Sequence, residues 1–478
     1  MDSRTKIVAT LGPASEPTRV LDAMLIAGVD VVRLNLSHGT VESHVARLHA
    51  VRAAGERVGQ VVAVLADLPG PKVRAGQLPD GVTLLVAGAP LRLVAGDGPS
   101  TGSVLTVDYP NLLDDLQPDD RVVLGDGAIS LICESVDHTG AMTRVVTGGQ
   151  VQGRPGVHLP SERLRLTAPT DEDLVLARRM AEEGVDFLAI SFVRSADDLR
   201  KVRAAIAPLA TRLVAKIETL QGVQALEEIT TVADAVMVAR GDLGIEFPLE
   251  DVPHLQKQII RHCVEVGVPV ITATQMMESM ITAPSPTRAE VSDVANAVFD
   301  GTDALMLSAE TAVGADPVAV VEAMVRVAER AEMEASYTQW GKRLGRIQRH
   351  QWPDGPDRIT MAITHAAGLA AVDAGAAAIL CCTRSGRTAQ AMARFRPTPK
   401  LLGLSPDLAT VRSMALSWGV TPLQVGTFDS TDELVWFAVE TAVLGGHIHP
   451  GEIVLVLAGA PDRHGGASTD VLRIVCVA

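Results

Sequence analysis

A chain of 478 residues, 47% of them hydrophobic, is too long for one ordinary core and too apolar to be disordered. Its 42 basic and 57 acidic residues leave a formal charge of −15, which makes nucleic acid and anionic lipid poor partners, so any anion site must be local. Only 3% of the residues are aromatic, which argues against surfaces that stack sugars or single-stranded bases.

Short Val/Ala/Ile-rich runs, each followed by a helical pattern, recur along the first two thirds of the chain. They are Lys6–Leu11, Val29–Leu36, Val61–Leu68, Phe187–Val193, Arg212–Glu218, Ala235–Arg240, Pro269–Gln275 and Ala304–Glu310. All are apolar on both faces, as buried parallel strands are. Eight such β/α units predict a TIM barrel. The gap between the third and fourth runs is far longer than one β/α unit needs and predicts an insertion near Gly70–Leu166. That stretch is rich in Gly, Pro and Asp and carries alternating strands such as Val82–Val86, Arg121–Leu124 and Met142–Thr147, the texture of a small β-barrel lid leaving the active-site face. The barrel pattern resumes at Thr170–Asp173, a capping-box helix start. After Trp340 the pattern restarts with strands at Ala376–Cys382, Lys400–Leu404, Gly419–Val425, Glu452–Ala458 and Leu472–Val477, predicting a doubly wound α/β domain. Residues Gln339–Asp357 read as the connection. The expected division is 1–69 and 167–340 for the barrel, 70–166 for the lid and 341–478 for the C-terminal domain.

Function in such a barrel belongs at the C-terminal ends of the strands. There the sequence places Arg33, Asn35, Ser37 and His38; Asp67, Leu68, Lys72 and Arg74; Ser191; Lys216 and Glu218; Ala239, Arg240, Gly241 and Asp242; Thr274; and Glu310. Alternate strand residues share a face, so Arg33, Asn35 and Ser37 point the same way. So many charges at one end are expensive to bury unless they serve a ligand or a metal. Glu218 and Asp242 are hard oxygen donors on neighbouring strands and suit Mg²⁺ or Mn²⁺. Lys216, Arg33 and Arg74 suit phosphate. A metal with several cations implies a strongly anionic substrate, and phosphoryl transfer fits best. No P-loop, protein-kinase signature or dinucleotide fingerprint is present.

The segments Thr5–Ser15, Arg33–Gly39, Lys216–Glu218, Met237–Glu246, Ala273–Met280 and Pro286–Ala297 are long and ordered, and in them the chain resembles the pyruvate kinase family over essentially its whole length. The resemblance implies a barrel, a lid and a regulatory domain, a homotetramer, and phosphoryl transfer from phosphoenolpyruvate to ADP giving pyruvate and ATP. It implies that Lys216 neutralises the transferring phosphoryl group and the enolate, that Arg33 binds phosphate, and that Glu218 and Asp242 hold the metal. Ser191, Thr274 and the Ala239–Arg240–Gly241 backbone fall at the substrate, with Thr274 also organising proton delivery. Asn35, His38 and Arg74 fall in the nucleotide region. Asp126 matches the lid aspartate, and Arg154 stands where a lid lysine is expected.

One departure is informative. Where the family commonly has an acidic residue after the third strand, this chain has Lys72, beside Asn35, Ser37, Asp67 and Leu68, which match the K⁺ region. A tethered ammonium carries the charge of K⁺, so independence of K⁺ is expected. In the C-terminal domain, Thr383-Arg384-Ser385-Gly386-Arg387-Thr388 forms a strand-to-helix turn suited to an anion, where the resemblance places an effector phosphate, from a sugar phosphate or AMP; Gly459–Asp470 is expected to help line it. His447, His449 and His464 read as solvated loop residues. A metal-dependent pyruvate-enolate aldolase on a similar barrel would need neither His38, Arg74 nor a lid, and a catalytically dead sensor would not need Lys216, Glu218, Asp242 and Thr274 together. Five scattered cysteines (Cys133, Cys263, Cys381, Cys382 and Cys476), without a CxxC pair, read as reduced thiols of a cytoplasmic protein. Neither a signal peptide nor a membrane span is expected.

Overall fold

A computed structural model describes residues 3–79, 82–125, 127, 129–160, 163–335, 337, 340–341, 344, 356–427, 430–459 and 469–478. Eight parallel strands, Lys6–Thr10, Val31–Asn35, Ala63–Asp67, Phe187–Ile190, Arg212–Ile217, Ala235–Ala239, Val270–Ala273 and Ala304–Leu307, close into a barrel. They lie inside the eight predicted runs, each ending earlier than the sequence suggests. The strands stop where the mouth begins, because residues such as Glu218, Arg240 and Gln275 already belong to turns and short helices.

The barrel interior is apolar. Val8, Val31, Leu65, Phe187, Ala189, Val214, Met237, Ile271 and Met306 fill it, and Ala415 and Leu416 of the C-terminal part pack onto the same cluster. These inward positions alternate with outward ones that pack on the helices. By that alternation Arg33, Asp67 and Lys216 follow Val31, Leu65 and Val214 into the mouth. Thr40, Thr170 and Thr287 each close a capping box at a barrel-helix start. Asp173 also accepts the Gly70 N–H at 3.0 Å. The point where the chain leaves the barrel is thus tied to the point where it returns.

The third barrel strand pairs directly with the fourth, Leu65 opposite Phe187, so the chain between them is extruded without opening the barrel. That segment folds into a six-stranded sheet, in order Val157–His158, Arg121–Leu124, Ile129–Asp137, Gly140–Thr147, Pro90–Ala95 and Val104–Val107. A two-stranded sheet of Thr83–Leu85 with Gly149–Val151 completes it. It has its own core, including Leu91, Leu93, Leu105, Val122 and Leu131.

The C-terminal sheet runs in the order Val420–Gln424, Lys400–Ser405, Ala378–Cys382, Ile453–Ala458, Val471–Cys476. Its first four strands are parallel and the last is antiparallel, Ile453 opposite Cys476. One face buries Leu380, Leu402 and Val456 against helix Thr431–Leu444. The other buries Ile379, Leu401 and Leu455 with Ala389 and Met392 of helix Arg387–Ala393. Both faces are covered, as a doubly wound domain requires. Most of the Gln339–Asp357 connection lies outside the described residues. Cys133, Cys263, Cys381 and Cys382 are buried free thiols, and Cys476 is exposed. Among the described residues, no helix is long and apolar enough to cross a membrane.

Candidate active site

Five consecutive strand ends meet around one ammonium. Lys216 Nζ donates to Ser191 Oγ at 2.7 Å and pairs with Glu218 Oε1 at 2.9 Å and Asp67 Oδ1 at 3.2 Å. The Ser191 hydroxyl donates in turn to the Leu68 carbonyl at 2.8 Å. Arg33 Nε and Nη2 both lie 2.7 Å from Asp67 Oδ2, and Nη1 donates to Thr10 Oγ1 at 3.0 Å. Glu218 Oε2 accepts the Phe192 N–H at 2.7 Å. Asp67 and Glu218 are each only 2% exposed.

The charges settle one another. Burial alone would lower the Lys216 pKa, but Asp67, Glu218 and Asp242 outweigh it and hold the ammonium above its ordinary value. Burial would raise Asp67, yet Lys216 and Arg33 hold it below the carboxylate range. Glu218 behaves oppositely: burial, with Asp242 beside it, pushes it up to about 7 despite the pull of Lys216. Asp242 is raised as well, chiefly by burial. Burial thus pushes both carboxyls toward their neutral forms, against the pull of the Lys216 charge.

The sixth strand ends at Ala239, and helix Arg240–Glu246 starts at once. The Gly241 N–H donates across to Thr274 Oγ1 at 2.8 Å, and the Thr274 hydroxyl donates to the Ala273 carbonyl at 2.7 Å. Thr274, Gln275 and Phe192 have φ of 66°, 54° and 57°. Left-handed backbone at three non-glycine residues is strain gathered at one mouth. The Arg240 side chain does not enter that mouth. It is 8% exposed, and it bonds to Asp293 Oδ2 at 2.6 Å, to Gln256 Oε1 at 3.3 Å and to the Thr274 and Gln275 carbonyls at 2.6 and 3.1 Å. It holds the strained turn from behind.

Lys72, Arg74 and His38 form the rim. Lys72 is exposed, and no carboxylate among the described residues lies within 4.0 Å of its ammonium. Burial of its stem and repulsion from Arg74 and Lys216 lower its pKa, against attraction from Asp67. His38 is lowered by burial and then by Lys72, Arg74 and Arg33. Asn35 Oδ1 accepts the Ser37 N–H at 3.2 Å. Arg74 pairs by its backbone with Gly156, beside Arg154, whose guanidinium faces the Ala75 carbonyl at 3.3 Å and Asp108 at 3.6 Å. Asp126 lies outside the described residues.

Comparison with known families bears on this arrangement. Residues 2–321 match the model of the pyruvate kinase barrel domain, and residues 361–475 match that of the pyruvate kinase alpha/beta domain. The chain belongs to the pyruvate kinase family. It is 39% identical to a pyruvate kinase of Geobacillus stearothermophilus over 99% of this chain and 80% of the relative. It is 37% identical to one of Staphylococcus aureus (strain MRSA252), over 98% of this chain and 80% of the relative.

For a family whose members act on phosphoryl groups, the donor set at Glu218 and Asp242 fits a divalent cation. Burial pushes both carboxyls up, so a divalent cation held by the two would favour their charged forms. Among the described residues, no cluster of three or more His, Cys, Asp or Glu side chains suits a metal, so a cation here would complete its shell with substrate and water. Thr10 and Phe192 also belong to the site and are missed by sequence reasoning. Thr10 has inward parity at a strand end, a signal that could have found it; Phe192 contributes only its backbone, and no residue-type signal marks it.

The turn at Thr383–Thr388 lies away from the mouth. Its Gly386 (φ 82°) donates to Thr383 Oγ1 at 3.0 Å, and Thr410 Oγ1 donates to the Arg384 carbonyl at 2.9 Å. Thr388 Oγ1 meets Thr469 Oγ1 at 2.6 Å, which brings the end of the later loop to this turn; residues 460–468 of that loop, with His464, lie outside the described residues. Arg212, at the start of the fifth barrel strand, donates to the Ser385 carbonyl. His449 is exposed, whereas His447 is half-buried with its carbonyl bonded to Lys400, so it is not a fully solvated residue.

Proposed function

We propose that the protein transfers the phosphoryl group of phosphoenolpyruvate to ADP, giving pyruvate and ATP. The observation that carries this reading is the buried Lys216 ammonium, flanked by Arg33 on one side and by the Glu218–Asp242 pair on the other. A β-phosphate oxygen of ADP attacks phosphorus in line, and the bond from phosphorus to the enol oxygen breaks. Lys216 and Arg33 hold the phosphoryl oxygens, and Lys216 faces the enolate oxygen as charge develops on it. Glu218 and Asp242 would hold Mg²⁺ or Mn²⁺, which supplies charge neutralisation to the phosphoryl group and enolate when bound. The substrate carboxylate takes over the Gly241 N–H from Thr274 Oγ1 and lies beside Thr274 and Ser191. The Thr274 hydroxyl, oriented by its bond to Ala273, positions the water that protonates the enolate carbon. Asn35, His38, Arg74 and Arg154 serve the nucleotide, and the inserted β segment, with Asp126, closes over it as a lid.

We further infer that K⁺ is not required. Lys72 adds a fixed positive charge to a rim that already holds Arg33, Arg74 and Lys216, where a free cation would be repelled. The Thr383–Thr388 turn is read as the seat of a phosphorylated effector, and the assembly as a homotetramer. A coupled assay of ATP and pyruvate formation from phosphoenolpyruvate and ADP, with Mg²⁺ and then Mn²⁺, tests the main reading. Failure to form ATP with either metal overturns it.

A further inference from the structure

At the opposite end of the barrel from Lys216, a pocket opens where the starts of the seventh and eighth strands meet the C-terminal domain. Gly267 and Asp303 line it from the barrel, and Gln390, Arg394, Arg396 and Ser417 from the other side. Arg394 is 5% exposed. Its Nε and Nη2 have no hydrogen-bond partner among the described residues, and neither do Arg396 Nε and Ser417 Oγ.

The pocket's own acid does not relieve Arg394. Asp303 Oδ1 is taken by Arg396 Nη1 at 2.9 Å, and Oδ2 accepts the Val270 N–H at 2.9 Å. Two guanidiniums therefore face one carboxylate, which leaves one positive charge uncompensated. Burial alone pushes the Arg394 pKa down to about 10. The Phe395 ring, 5.2 Å from the guanidinium carbon, offers only its π face. Gly267 has φ of 81°, and a Cβ there would lie 3.2 Å from Arg394 Nη1, so glycine leaves room for the head group.

A buried guanidinium with unpaired donors is costly, and the cost falls when an anion meets it. Water could satisfy the donors but not the charge. Planar Arg N–H forks with a hydroxyl beside them match the oxygens of a tetrahedral oxyanion. We propose that this pocket binds one phosphate-type oxyanion, at a site separate from the barrel mouth and from the Thr383–Thr388 turn. The occupant sits between barrel and C-terminal domain, with its donors all from the C-terminal side. The assignment does not depend on the reaction at the mouth, since it is read by binding.

Equilibrium dialysis of the full chain against radiolabelled inorganic phosphate, at fixed ionic strength, tests this. Wild type should bind one equivalent per chain more than Arg394→Met. Ser417→Ala should weaken that equivalent by about tenfold, the loss expected for one hydrogen bond to a charged group. Competition by glycerol 3-phosphate would show that the phosphoryl group of a metabolite fits; competition by sulfate alone would restrict the site to the free ion. If circular dichroism shows Arg394→Met unfolded, Ser417→Ala and Arg394→Lys carry the comparison. Equal uptake by wild type and the folded variants, or no uptake by wild type, overturns the proposal.

Discussion

Lys216 Nζ, on the fifth barrel strand, and Glu218 Oε1, from the first residue past its end, lie 2.9 Å apart. The ammonium is held by the acids it sits among, and in the proposed reaction its charge meets the enolate. Lys216→Met should lower turnover by about a thousandfold or more, while phosphoenolpyruvate and Mn²⁺ still bind in equilibrium titrations. Turnover above about a tenth of wild type would remove Lys216 from the chemistry.

Thr274 accepts the Gly241 N–H and orients its own proton toward Ala273. Thr274→Ala should reduce turnover by about a hundredfold. Exchange of the pyruvate methyl protons with deuterated solvent should fall further than phosphoryl transfer does. Thr274→Ser keeps the hydroxyl and should restore both; equal loss in the two variants would mean that the side chain only supports the fold.

Lys72 can be tested without mutation. Rates in K⁺, Na⁺ and a bulky quaternary ammonium salt should match at equal ionic strength. A rise of about tenfold or more on adding K⁺ to K⁺-free enzyme, equal to about 1.4 kcal/mol of barrier, would defeat the reading. Lys72→Glu should lower activity in Na⁺ and bring back a response to K⁺.

His38 reports the same charge by a different route. Burial, Lys72, Arg74 and Arg33 all disfavour its protonated form, so its pKa lies below the ordinary histidine value. The stability this group contributes is present above about pH 6.5 and is lost as pH falls from there through the lower folded-state pKa, because the unfolded chain takes up the proton first. In Lys72→Glu, an NMR titration should move the His38 midpoint upward. An unchanged midpoint would mean that the two side chains do not sense each other.

Replacing Ser385 and Thr388 by Asp puts carboxylates where Thr388 now meets Thr469. Activation by sugar phosphates and AMP should vanish, leaving the basal rate. Activation that survives in the double variant would move the effector elsewhere.

The barrel was legible because its strands are apolar on both faces, a pattern few other elements share. The charged residues at the strand ends were legible for a related reason: charge next to such a run has nowhere else to go than the mouth. The partnerships were not legible. Lys216 and Ser191 are 25 residues apart, and only closure of the barrel brings them to 2.7 Å. Arg240 reads as one more mouth cation, yet its side chain turns inward to Asp293 and Gln256, partners on outer helices that no strand pattern singles out. The left-handed backbone at Phe192, Thr274 and Gln275 carries no glycine to announce it. In the inserted segment the strands are short and broken by Gly and Pro, so only some of them stood out.

Arg212 and Lys216 are the two working ends of the fifth barrel strand. Four residues of extended chain, about 13 Å at about 3.3 Å per residue, separate the side chain that grips the Ser385 carbonyl from the one that pairs with Asp67 and Glu218. The strand is bonded to a neighbour on each side and cannot stretch. It is a strut: a displacement of the Ser385 turn must either break the Arg212 contact or be felt at Lys216 with no side-chain relay between them.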